Sequence, residues 1–286
     1  MSRIRRKKKL VSVLINGDAT KRSVLRKNVS DLIITSPPYN LGKAYSGDKE
    51  DDEIPHEDYL EFTRTWLQNC FYWSKTTGRL CVNVPLDNNY LGKRPATSQL
   101  TYIAMQVGWH YHATIIWNKG HINKRSAWGS WKSASAPNII APVETIIVFY
   151  KDEWKRKRQG ISDISGEEFK TTVNGLWTFT GESSKRIGHE APFPRVLPRR
   201  CIKLLSFPGD TILDPFNGSG TTMIEATLHG RKSIGVELER KYCKLFIRRA
   251  NKICGVEFKK TSMPKLVRNG VMCWKADKIP FQNKLL

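Results

Sequence analysis

The sequence predicts one α/β domain built on a mostly parallel sheet. Three observations carry that expectation. Seven short apolar runs alternate with segments of helical period along the 286-residue chain. Several of those runs, such as DLIIT at 31–35, are apolar throughout, as strands buried on both faces are. The runs also end on stiff or glycine-rich stretches, IITSPPYN at 33–40 and ILDPFNGSG at 212–220, where ligands sit in an open α/β sheet.

In chain order, a basic arm at 1–9 leads into a strand over Leu10–Ile15 that ends at Asn16-Gly17-Asp18. A basic stretch before an apolar one imitates a secretion signal. Its apolar part is short, however, and Asn-Gly-Asp is not a cleavage site. A short helix is expected over Lys21–Lys27, then the strand Asp31–Thr35. The acidic DKEDDE at 48–53 reads as a solvated loop or, more sharply, a lid. Tyr59, Leu60, Phe62, Trp66, Leu67, Cys70 and Phe71 recur at helical spacing over His56–Trp73. Gly78 is expected to stop that helix, and Arg79–Val84 to return as a parallel strand. A helix over Gln99–Val107 and strands over Ala113–Trp117 and Val143–Tyr150 follow. Residues 194–206 form a helix whose prolines fit only its first turn. The strand Thr211–Asp214, the helix Thr221–His229, the strand Ser233–Glu237 and the helix Arg240–Lys252 complete the count.

This divides the domain into a catalytic half at 10–117, target-recognition loops plus the strand 143–150 within 118–190, and a cofactor half at 191–254. A basic tail occupies 255–286, and 151–190 reads as a small insertion.

Composition narrows the partners. Lys and Arg number 48 against 26 Asp and Glu, a formal charge of +22. That excess favours a polyanion. No apolar run approaches the ~20 residues of a membrane-spanning helix. The six Cys contain no C-x-x-C pair, so they read as free thiols of an intracellular protein, with no metal site. His110 and His112 share a strand face, but no third ligand is in view, and packing is the simpler reading.

Asn217-Gly-Ser-Gly220 is a glycine turn lacking the Lys of a phosphate loop. Glu237 ends the next strand, where an acid can accept both hydroxyls of a ribose. Together they fit a nucleoside ligand without phosphates.

At Ser36-Pro37-Pro38-Tyr39 and Asp214-Pro215-Phe216-Asn217-Gly218-Ser219-Gly220-Thr221 the sequence resembles the S-adenosylmethionine-dependent amino DNA methyltransferases. The catalytic motif precedes the cofactor motif, the permuted order of the β class. Gly17-Asp18, Trp117-Asn-Lys119, Glu144 and His189-Glu-Ala-Pro-Phe-Pro194 extend the resemblance over most of 14–252, with Glu190 departing from the more usual Pro.

The resemblance implies a Rossmann-like methyltransferase fold, seven-stranded with helices on both faces. It implies S-adenosyl-L-methionine as cofactor, double-stranded DNA as partner, and a cytoplasmic, nucleoid-associated modification enzyme with a possible separate restriction endonuclease. Asp214 and the loop from Pro215 to Thr221 then lie near the methionine part, and Glu237 takes the ribose. Asp18 meets the adenine or the pocket wall, unless Asn-Gly-Asp is only a turn. His189 backs the methionine end, unless it is only a helix-entry residue.

The chemistry accounts for the catalytic motif. The lone pair of an exocyclic amine is conjugated into its ring. Acceptors at its N–H groups, here Ser36 Oγ and the Pro37 carbonyl, pull the nitrogen towards tetrahedral geometry. Pro37 and Pro38 keep the carbonyl aimed. Tyr39 offers a face to a base flipped out of the duplex. No Pro-Cys dipeptide is present, which disfavours cytosine C5 chemistry. In the β class, serine at the first motif position goes mostly with cytosine N4 and aspartate with adenine N6, so cytosine N4 is favoured over adenine N6. An RNA or protein-glutamine methyltransferase would carry Asn in place of Ser36 and the opposite motif order. A non-catalytic DNA-binding scaffold is the remaining alternative.

For DNA, the expected contacts are Arg125, Trp128 and Trp131 in the loop after 118, and Lys155, Arg156, Arg158 and Arg186 in the basic insertion. The lysines and arginines at 155–158 read as phosphate binders. Arg125 and Arg186 are candidates to read guanine.

Overall fold

The computed structural model describes residues 11–41, 53–88, 94–120, 129–139, 141–157, 160–182, 187–188, 193–261 and 272–276. Its strands are β1 (Ser12–Asn16), β2 (Ser30–Thr35), β3 (Ser74–Pro85), β4 (His110–Asn118), β5 (Val143–Tyr150), β6 (Leu176–Thr178), β7 (Thr211–Asp214), β8 (Lys232–Glu237), β9 (Lys259–Thr261) and β10 (Met272–Ala276). Its helices are α1 (His56–Trp73), α2 (Ala96–Val107), α3 (Gly166–Val173), α4 (Val196–Leu205), α5 (Thr221–Leu228) and α6 (Arg240–Cys254).

All strands join one sheet in the order β6-β4-β5-β3-β2-β7-β8-β1-β10-β9. The stretch from β3 to β1 is parallel throughout. β5 runs antiparallel between β3 and β4. The seven expected strands therefore form the mostly parallel centre. β6 adds to β4 on one side, and β10 and β9 to β1 on the other.

Alternation explains the apolar run of β2. Ile33 packs with Trp66, Leu67, Trp73, Leu100 and Ile103 under α1 and α2. Leu32 and Ile34 face Leu197, Cys201 and Ile202 of α4 on the opposite side. A smaller cluster of Leu14, Met223, Ile224, Cys243 and Phe246 joins β1 to α5 and α6. All six Cys are buried, and none forms a disulfide.

Four expectations need correction. The helix over Lys21–Lys27 is one 3-10 turn at Arg22–Val24. Gly78 does not stop α1. It lies inside β3, at a register shift opposite β2, where a Cβ would meet the Lys75 carbonyl at 2.8 Å. The insertion at 151–190 contributes α3, closed by a capping box between Ser165 and Glu168, and β6. The basic tail contributes β9 and β10, whose pairing with β1 no local periodicity announces. Among the described residues, no helix is long and apolar enough to cross a membrane.

Candidate active site

The carboxyl ends of β2, β7, β8 and β1 stand side by side. They carry, in that order, Ser36, Asp214, Glu237 and the Gly17-Asp18 turn. Side chains lock these ends together. Thr35 Oγ1, the last side chain of β2, donates to Asp214 Oδ1 at 2.8 Å. The Phe216 N–H donates to the same oxygen at 3.1 Å. Asn16 Nδ2 donates to the carbonyls of Glu237 and Leu238 at 2.9 and 2.7 Å, tying β1 to β8.

Asp214 is fully buried, and burial pushes its carboxyl up to about 6, against the hydrogen bonds from Thr35 and Phe216. Glu237 is buried at the next strand end. Burial pushes it up to about 7, against hydrogen bonds from the Glu239 and Gly218 amides. Those amides donate at 2.8 Å to Oε1 and 2.6 Å to Oε2, so the carboxylate props the glycine loop. Asp18 Oδ1 accepts from Thr20 N and Oγ1 at 2.8 and 2.7 Å, so one oxygen serves the turn.

The two glycines that matter most here make room for protein. Gly220 has φ +77°, and a Cβ there would lie 1.9 Å from Phe246 Cδ2. Gly235 of β8 leaves space for the Asn217 side chain, whose Oδ1 would lie 2.6 Å from a Cβ. Pro215, Ser219 and Thr221 are buried in the same turn. Phe216 leaves it towards α1, with its ring 5.6 Å from Trp66 and 6.0 Å from Phe62.

Four polar atoms of the Ser36–Tyr39 stretch are pinned. Ser36 Oγ lies 2.6 Å from the Tyr39 hydroxyl, which donates to the Asn83 carbonyl at 3.0 Å. Tyr59 donates to the Pro38 carbonyl at 3.1 Å, and Asn88 to the Tyr39 carbonyl at 3.0 Å. Asn40 adopts a left-handed φ of 56° and exchanges two hydrogen bonds of 2.9 Å with the Ile54 backbone. No partner for the Pro37 carbonyl occurs among the described residues. Asn83, Asn88, Tyr59 and Thr35 are not visible as site residues in the sequence, since each looks like an ordinary strand, loop or helix residue.

Behind Tyr39, Asn83 Nδ2 donates to Glu144 Oε2 at 2.6 Å, and Lys119 pairs with Glu144 Oε1. The loop leaving β4 at Lys119 and returning at β5 opens on this edge. Within it, Trp131 is 67% exposed.

The basic stretch that follows Tyr150 lies elsewhere. β5 runs antiparallel to β3, so residues after Tyr150 emerge at the amino ends of the central strands. Arg156 pairs with Asp210 there at 2.5 Å and donates to the Asp31 carbonyl at 3.2 Å. Its guanidinium is thus held within the fold, and Lys155 sits at the same end. His112 stacks on Trp154 with ring centroids 3.5 Å apart, and His110 on Tyr150 at 5.0 Å, so both imidazoles pack. Arg125, Trp128, Arg158, Arg186 and His189, and the acidic segment up to residue 52, lie outside the described residues. No cluster of metal ligands occurs among the described residues.

The residues present fit S-adenosyl-L-methionine. Two buried carboxyls at adjacent strand ends suit a ribose and a cationic amino acid. Asn217 keeps both amide atoms buried with no protein partner among the described residues. The parallel sheet with this edge defines an S-adenosylmethionine-dependent methyltransferase. The chain belongs to the DNA methylase family, whose model matches residues 30–248.

Among relatives, the Type II methyltransferase M.MjaVI of Methanocaldococcus jannaschii is 50% identical over 174 residues, 61% of this chain and 88% of that protein. M.ScaI of Streptomyces caespitosus is 27% identical over 257 residues, 83% of this chain and 80% of that one. A Thermus thermophilus protein solved with S-adenosyl-L-methionine is 25% identical with a TM-score of 0.66, covering 84% of this chain and 93% of its own. The PvuII cytosine-N4-specific DNA methyltransferase shares the fold at 21% identity and a TM-score of 0.63, covering 84% and 89%.

Proposed function

We propose that this DNA methyltransferase transfers its methyl group to the exocyclic N4 of a flipped-out cytosine, as the modification half of a restriction-modification pair. The observation that carries the reading is Ser36, a neutral acceptor at the strand end next to Asp214, with the Pro37 carbonyl beside it. S-adenosyl-L-methionine supplies an electrophilic methyl on a sulfonium. The protein's part is to hold the amine. Ser36 Oγ and the Pro37 carbonyl accept its N–H groups and turn its lone pair towards the methyl. The half-buried ring of Tyr39 supports the base. Asp214 and Glu237 hold the cofactor through its charged and hydroxyl groups, and Asp18 closes the far end of that row. Trp131, on the loop at this edge, contacts the DNA around the target.

The test is methylation of mixed-sequence duplex DNA, followed by digestion to nucleosides and mass spectrometry. N4-methyldeoxycytidine is expected. N6-methyldeoxyadenosine alone would replace the cytosine reading with the adenine one. No methylated nucleoside, with DNA binding retained, would leave a binding scaffold.

A further inference from the structure

The polar atoms behind Ser36 form one continuous chain: Ser36, Tyr39, Asn83, Glu144, Lys119. We infer that this chain fixes the direction of the Ser36 hydroxyl proton, so that Ser36 shows the target amine only lone pairs, with Asn83, Glu144 and Lys119 as positioning residues. The inference rests on the proposed role of Ser36 as an acceptor.

The direction follows from counting hydrogens. A phenol has one proton and two lone pairs. The Asn83 carbonyl, 3.0 Å from the Tyr39 oxygen, can only accept, so the phenol proton belongs there. If the phenol pointed its proton elsewhere, two oxygen lone-pair regions would face each other at that distance. Asn83 Nδ2 donates to the phenol at 2.9 Å and fills one lone pair. The remaining lone pair faces Ser36 Oγ at 2.6 Å, so Ser36 donates inward. Its own lone pairs are then left for the amine.

The scheme needs the nitrogen of the Asn83 amide, not its oxygen, against Tyr39. Glu144 decides this. Its carboxylate accepts the second Nδ2 hydrogen at 2.6 Å and would repel Oδ1 in that place. Oδ1 itself is buried without a partner among the described residues, so nothing on that side competes. Lys119 holds the other carboxylate oxygen. Glu144 sits on β5 directly opposite Pro85 of β3 and Trp117 of β4, a rigid mount for the pair.

The experiment is a kinetic double-mutant cycle with Tyr39→Phe and Glu144→Gln, read as steady-state kcat and DNA KM, with single-turnover rates to isolate the chemical step. Tyr39→Phe keeps the ring but removes the proton sink. It is expected to lower kcat about tenfold with DNA KM little changed. Glu144→Gln is expected to lower kcat several-fold alone and to add nothing in the Tyr39→Phe background. Multiplying effects would overturn the inference, as would a Tyr39→Phe enzyme with full kcat. Should Glu144→Gln not fold, Lys119→Met takes its place in the same cycle. Neutron diffraction reads the wiring without reference to activity. The Ser36 deuteron should lie towards Tyr39, and one pointing into the open site overturns the inference. Wild-type protein that methylates nothing, with the deuteron inward, sinks the reading of function and leaves the wiring standing.

Discussion

Thr35 and Asp214 are 179 residues apart in sequence and joined by a 2.8 Å hydrogen bond between the ends of adjacent strands. The bond couples the strand that presents Ser36 to the strand that begins the cofactor loop. Thr35→Val keeps the shape and removes the donor. It should cost about 1–3 kcal/mol in urea unfolding, since a buried carboxyl loses a partner, and weaken S-adenosyl-L-methionine binding by calorimetry. Unchanged values for both would show that the two motifs are set independently.

On the proposed role of Ser36, Ser36→Ala removes one acceptor from the reacting amine without touching the cofactor end. A fall in kcat of about a hundredfold is expected, the scale of losing one transition-state hydrogen-bonding group. The cofactor dissociation constant should stay within about twofold. A matching loss in cofactor affinity would mean that Ser36 shapes the pocket instead.

Burial pushes the Glu237 carboxyl up to about 7, so its charge changes near neutral pH. A ribose hydroxyl donates better to a carboxylate than to a carboxylic acid. Cofactor affinity should therefore fall as pH drops through 7, and Glu237→Gln should bind weakly with a flatter profile. Stability of the ligand-free protein runs the other way. Asp214 and Glu237 bind a proton more tightly folded than unfolded. Their contribution is complete below the ordinary carboxylate range near pH 4 and is lost as pH rises through about 6 and about 7. A pH series of calorimetric melts on wild type and Glu237→Gln separates the two effects.

Gly220→Ala places a methyl against the Phe246 ring in a left-handed backbone. A stability loss of roughly 2–4 kcal/mol is expected from the overpacking and the backbone strain together. Pairing it with Phe246→Leu should recover part of the loss. No recovery would place the cost in the backbone alone.

Trp131 and Arg156 make opposite predictions, although the sequence points both at DNA. Trp131→Ala should weaken DNA binding and leave the melting temperature in place, because the ring is 67% exposed. Arg156→Met leaves Asp210 without its counter-ion at the opposite ends of the strands, a loss of about 3 kcal/mol, with DNA affinity little altered. Titrations at fixed salt, alongside thermal melts, decide both.

The contrast shows what a sequence can disclose. Ser36, Asp214 and Glu237 are legible because their neighbours carry local information: prolines that stiffen a strand end, glycines that turn into a helix. The ion pair of Arg156 is not legible, because KRKR is basic wherever it folds and its partner Asp210 lies 54 residues away. Asn83 and Thr35 escape notice for the same reason in reverse. Their roles come from strands that pair side by side, and single-strand periodicity records burial but not neighbours. β9 and β10 escape it because strands of 3 and 5 residues, interrupted by Lys259, Lys260 and Lys275, carry no apolar run to read.

The placement of β1 bears on how the chain is made. Ser12 in β1 meets Ser233 in β8, 221 residues later, and on its other side β1 pairs with β10, later still. At typical synthesis rates the ribosome needs on the order of ten to forty seconds to travel that distance. Throughout that time β1 has neither of its neighbours. Such separation between paired segments predicts slow folding, and the row of strand ends that runs from Ser36 to Asp18 closes only once β8 has been made.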